Sequence, residues 1–165
     1  MADTKRPLNY TTTIPAAQTV GECQSILAKA GASSVAVEYS GGEPRGLSFR
    51  LDTPHGRRDF TLPVNVDGMH QVLIKAEHNG QFATSKGGSR SHTGRGSYTS
   101  PEHAARVAWR VVKDWLEANL ALIAAQMASL DEVMLPYLHV DGERTLWQAY
   151  REREQAALTA GAPDA

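Results

Sequence analysis

Residues 33–63, SSVAVEYSGGEPRGLSFRLDTPHGRRDFTLP, alternate apolar and polar side chains with a period of two, interrupted by two turn sequences. Val35, Val37 and Tyr39 fall on one face of a strand, because successive side chains point to opposite sides of a sheet. Gly41-Gly42-Glu43-Pro44 breaks the run, and Leu47, Phe49 and Leu51 resume it. After a second turn at Pro54-His55-Gly56 the alternation continues through Phe60 and Leu62, until Pro63, which has no N–H for the ladder, ends it. Three antiparallel strands in a meander are expected. Their other face carries Glu38, Arg50, Asp52, Asp59 and Thr61, the mixture of signs found on a solvated face.

Helical signals flank this sheet. Upstream, Thr19 and Glu22 have capping-box spacing and Gly31 supplies a left-handed stop, which predicts an amphipathic helix over 20–30. Downstream, Asn65 or Asp67 starts a brief helix through Met69, Val72 and Leu73, and residues 78–99 then form a glycine- and serine-rich loop. Thr99 and Glu102 repeat the capping-box spacing and Pro101 suits a first turn. Ala104, Ala108, Val111, Trp115 and Leu122 then mark the longest helix, ending near Ala128. Ser129 with Glu132, and Thr145 with Gln148, cap two further helices, the first ending at Pro136 and the second bearing Leu146, Trp147 and Tyr150. The sum is an α+β fold: helix, three-stranded antiparallel meander, then a long helix and short C-terminal helices packed on one face of the sheet.

The 165 residues are 41% hydrophobic, which suits one domain over 1–165, with 1–15 and 158–165 expected to be flexible and 78–99 a mobile basic loop. A single cysteine, Cys23, excludes an internal disulfide and a thiolate zinc site, and points to a reducing cytoplasmic setting. No stretch resembles a signal sequence or is apolar and long enough to span a bilayer.

The net charge of −1 hides a segregation along the chain. Residues 1–85 are balanced, residues 86–113 hold Lys86, Arg90, Arg95, Arg106, Arg110 and Lys113 against Glu102 alone, and the remainder is acidic. Arg106, Arg110 and Lys113 are spaced by four and three, so they form one stripe, expected to face away from the apolar side of the long helix. Loop and stripe together suit a phosphate backbone, with Tyr98 or Trp109 available to stack on a base. The competing reading pairs the helix cations with Glu102, Asp114 and Glu117.

No catalytic signature is present: there is no nucleophile elbow, P-loop or dinucleotide fingerprint, and the six histidines have no metal-ligand spacing. No catalytic residue, metal or cofactor is therefore expected. Cys23 and the tryptophans at 109, 115 and 147 read as buried packing residues.

The segments YTTTIPAAQTVGECQSILAKAGASSVAVEYSGGEPRGLSFRL, RRDFTLPVNVDGMHQVL and AARVAWRVVKDWLEANLALI together resemble a family of small uncharacterised phage and prophage proteins, over roughly residues 10 to 150. The order of elements is also similar to double-stranded-RNA-binding domains and phage single-strand-annealing proteins, whose basic loop and final helix face nucleic acid. The connection from Pro63 to Tyr98 is longer than in the former, and Thr99-Ser100-Pro101-Glu102-His103 replaces its lysine-rich helix start. The family resemblance implies a mobile-element origin and supplies no activity. The charge layout, together with the looser similarity in element order, leads to the expectation of a non-catalytic phage-type accessory protein binding nucleic acid, single-stranded DNA or RNA before duplex, through Lys86, Arg90, Arg95, Tyr98, Arg106, Arg110 and Lys113. The alternative is a protein-interaction module, such as a phage inhibitor of a host defence or replication enzyme, or a self-associating chain. No membrane partner is expected.

Overall fold

The computed structural model describes residues 6–82, 98–142 and 144–160. The elements run α1 (Ala16–Lys29), β1 (Ser34–Ser40), β2 (Glu43–Thr53), β3 (Gly56–Pro63), α2 (Val66–His78), α3 (Pro101–Ala124), α4 (Leu130–Met134), a 3-10 turn (Leu135–Tyr137) and α5 (Leu146–Ala160). The three strands form an antiparallel meander in the order β1-β2-β3, so the chain is α+β as its periodicity implies.

The first hairpin closes with Ser40 opposite Glu43, leaving only Gly41 and Gly42 in the turn, both at positive φ (61° and 82°). Two such residues match the right-handed twist of the flanking strands, and glycine adopts them without a Cβ clash. The register aligns Val35, Phe49 and Phe60 in one row and Val37, Leu47 and Leu62 in the next. Phe49 and Phe60 stack at 5.5 Å. A bulge between Glu38 and Tyr39 ends this inner face early, so Tyr39 turns outward into solvent and does not continue the Val35/Val37 row.

α1 and α2 both pack against α3. α1 begins at Ala16 behind Pro15, whose φ of −58° already suits a helix entry. Thr19 is therefore a fully buried side chain of the first turn, in line with Val20, Cys23 and Leu27, and does not cap. At the other end Gly31 stands at φ 95°, with Gly31 N–H donating to Ala28 O and Ala32 N–H to Leu27 O, the paired bonds of a Schellman stop. α2 is capped by Asn65, which accepts from Gly68 N–H at 2.8 Å. The cap of α3 is Ser100, one residue beyond the expected Thr99, and its hydroxyl accepts from His103 N–H at 3.1 Å. α3 stops at Ala124, because Gln126 takes a left-handed conformation (φ 57°) and starts a second Schellman pattern from Met127 N–H to Leu122 O. The capping boxes at Ser129/Glu132 and Thr145/Gln148 form as read.

The core joins Leu47, Phe49, Leu51, Phe60 and Leu62 of the sheet to Val20, Cys23 and Leu27 of α1, Leu73 of α2 and Met134. From α3 come Ala104, Ala105, Val107, Ala108, Trp109 and Leu116, so its buried face turns on Trp109 rather than on Val111 and Leu122. Trp109 is fully buried, and its indole N–H donates to Pro44 O at 3.2 Å, which removes it as a base-stacking group.

Residues 6–15 pack against the helices, where the sequence reading expected flexibility. Asn9 donates to the Asp114 carboxylate at 2.7 Å, Tyr10 stacks on Phe82 at 5.1 Å, and His103 Nε2 lies 2.7 Å from Tyr10 O. A carbonyl only accepts, so Nε2 carries a proton there. Burial lowers the His103 pKa below its ordinary 6.5, against the opposing pull of the Tyr10 carbonyl. The folded protein thus binds this proton less readily than the unfolded chain does. The stability involved is fully present above about pH 6.5 and falls as the pH drops below it. Urea midpoints measured from pH 7.5 to 5.5 are expected to decline in wild type and to decline less in His103→Gln; equal slopes would contradict this.

Candidate interaction surface

Of the seven residues expected to meet nucleic acid, the structure describes Tyr98, Arg106, Arg110 and Lys113. Lys86, Arg90 and Arg95 lie outside the described residues. Arg106 pairs with Glu102, one turn before it. Arg110 reaches across to α1 and donates to Glu22 at 2.7 Å; Lys113 donates to Glu117 at 2.6 Å and lies 3.9 Å from Glu22. The side chains of Arg110 and Lys113 are only 19% and 13% exposed. The expectation that this stripe faces away from the packed side of α3 is therefore corrected for these two residues. The apolar contacts of Val20, Cys23 and Leu27 bring α1 against α3, and Glu22 then falls beside positions 110 and 113. The competing pairing scheme holds for Glu102 and Glu117, while Asp114 receives Asn9 and Arg110 takes Glu22 instead.

Tyr98 sits in a ring cluster with Phe82 (5.2 Å), His103 (5.3 Å) and Tyr10 (5.4 Å), which ties the two described ends of the basic loop together. On the sheet, Arg50 pairs with Asp59 and Arg57 with Asp52, and Arg45 meets Asp67 of α2.

Among the described residues the histidines do not converge. His70 Nε2 lies 2.8 Å from Thr99 O, His103 meets Tyr10, and His55 lies 3.7 Å from Asp131. Among the described residues no group of three or more histidine, cysteine, aspartate or glutamate side chains is placed to hold a metal ion. His139 ends a hydrogen-bonded chain across the outer sheet face that the sequence does not reveal. Ser48 Oγ contacts Glu38, Ser48 Oγ lies 2.7 Å from Thr61 Oγ1, and Thr61 Oγ1 lies 2.7 Å from His139 Nε2, while His139 Nδ1 donates to Gly142 O at 3.0 Å. With the bond from His139 N–H to Asp59 O and the bridge between Phe60 and Leu138, it fastens residues 138–142 to the β3 edge.

Cys23 is fully buried, and burial pushes its thiol up to about 11. Alkylation of the native protein at pH 8 is expected to proceed only through opening of the α1/α3 core, so its rate should rise with denaturant in step with unfolding. Rapid labelling without denaturant would contradict that.

The surface that stands out is apolar. Leu135, Pro136, Leu146, Trp147 and Tyr150 line an open groove of about 260 Å³ where the 3-10 turn meets the start of α5. Trp147 is 52% and Tyr150 54% exposed, with their rings stacked at 5.9 Å. Trp147 was expected in the core. Its helical spacing is real, but such a stripe reads the same whether it packs inside its own chain or against another. Beyond Tyr150, residues 151–158 of α5 are all exposed. Among the described residues, no helix is long and apolar enough to cross a membrane.

No protein-family model, curated protein or solved structure matches the chain.

Proposed function

We propose that this protein is an interaction module whose contact surface is the C-terminal arm formed by the 3-10 turn and α5. The observation that carries this reading is the groove around Trp147 and Tyr150, with all of its lining residues apolar or aromatic. Leaving two large aromatic rings half in water forgoes hydrophobic stabilisation that a partner surface recovers, and such residues are enriched where proteins bind one another. The helix they start has eight consecutive exposed residues, and a helix with so little packing is marginal by itself in water.

The nucleic-acid reading has less support. Its helix cations already have carboxylate partners, two of them largely out of solvent, and it now draws on the basic run at Lys86, Arg90 and Arg95.

The test is photo-crosslinking in cells that make the protein, with a benzophenone side chain placed at position 150 or, as a control, at exposed Glu77. Protein adducts at 150 and none at 77 are expected. An absence of protein adducts at 150, with ultraviolet crosslinking to nucleic acid instead, would reverse the choice.

A further inference from the structure

On α5 at 100° per residue, Arg151, Glu154 and Leu158 lie within about 40° of Trp147, and Tyr150 within about 60°. All five are exposed, and together they form one stripe: aromatic pair, arginine, glutamate, leucine. Glu152 falls on another side of the helix, where it pairs with Arg144 of its own chain at 2.6 Å.

This stripe is complementary to its own reverse. When two α5 helices run antiparallel with their crossing point between positions 152 and 153, Trp147 of each faces Leu158 of the other, and Arg151 of each faces Glu154 of the other. The apolar contacts then lie at the two ends of a segment about 16 Å long, with two opposite-charge pairs between them. A parallel pairing sets Arg151 against Arg151 and Glu154 against Glu154. Charge therefore selects the antiparallel arrangement. The groove of Leu135, Pro136 and Leu146 lies beside Trp147, where it receives the partner's Leu158.

We propose that the arm's occupant is a second copy of this chain, docked through antiparallel α5 helices about a two-fold axis. In such an interface the same patch serves both subunits, which requires self-complementarity of this kind. This deepens the reading of the arm as the contact surface and rests on it.

The test is sedimentation of the full chain from about 1 to 500 μM. The mass is expected to move from 17.9 kDa toward twice that value. Arg151→Glu and Glu154→Arg should each weaken self-association at least about tenfold, since each replaces both opposite-charge pairs by like-charge pairs. The double variant should restore it, and an equimolar mixture of the two single variants should form a heterodimer, a result no merely structural role for these exposed residues produces. A wild-type chain that stays at 17.9 kDa across the range overturns the proposal, as does failure of the double variant and the mixture to recover when circular dichroism shows native folding. The crosslink at position 150 separates the two failures. An adduct with a different protein retains the arm as a contact surface and removes the second copy, whereas no adduct removes both.

Discussion

Replacing Trp109 by alanine is expected to lower the free energy of unfolding by about 3–5 kcal/mol, the range for deleting a buried tryptophan side chain. Trp109 has no exposed surface and is the largest fully buried side chain of the core. Its contacts draw α3 onto the sheet, and alanine leaves a cavity that the Phe49/Phe60 stack and the backbone around Pro44 are too constrained to fill. Since domains of this kind are stable by roughly 5–15 kcal/mol, this one change removes a large part of the margin. Trp109→Phe should cost less, because it keeps most of the ring volume and loses chiefly the hydrogen bond to Pro44 O, on the order of 1–3 kcal/mol. Urea unfolding followed by circular dichroism checks both. An alanine variant within about 1 kcal/mol of wild type would mean that α3 is not held by this residue.

Glu22→Gln is expected to cost about 1.5–3 kcal/mol, because it leaves Arg110 without its carboxylate and Lys113 with Glu117 alone. Both cations are mostly withdrawn from water, so solvent replaces the lost partner poorly. Glu102→Gln provides the contrast. Its carboxylate is largely exposed, and breaking the pair with Arg106 should cost no more than about 1 kcal/mol. If the cations served a phosphate backbone instead, Glu22→Gln would leave stability unchanged and strengthen oligonucleotide binding. Replacing Arg106 and Arg110 by alanine is for the same reason expected to weaken the fold, since Arg110 is Glu22's partner at 2.7 Å.

The elements of this fold were legible because their determinants are local. Alternation at Leu47-Phe49-Leu51, the Gly41-Gly42 turn and the boxes at Ser129 and Thr145 each act within a few residues, and all appear where they were read. Errors arose where a second element decides. Thr19 and Glu22 have capping-box spacing, yet Pro15 starts the helix earlier and the packing of α1 on α3 assigns one side chain to the core and the other to Arg110. Tyr39 keeps its period but not its face, because the bulge intervenes. The cationic stripe was correctly placed on one face of α3, whereas spacing within α3 carries no information that α1 lies beside it. Trp147 shows the converse: its apolar spacing was visible, but among the described residues its side chain stays about half exposed.

The central claim is that the α3 cations serve the fold and that contacts are made by the arm. The measurement that tests it most directly is fluorescence anisotropy of labelled single-stranded and duplex oligonucleotides at about 20 and 150 mM salt, comparing wild type with Arg110→Gln/Lys113→Gln. Either no binding or binding of equal strength in the two proteins is expected. Steeply salt-dependent binding by wild type that the double variant loses, while its circular dichroism remains native, would contradict it.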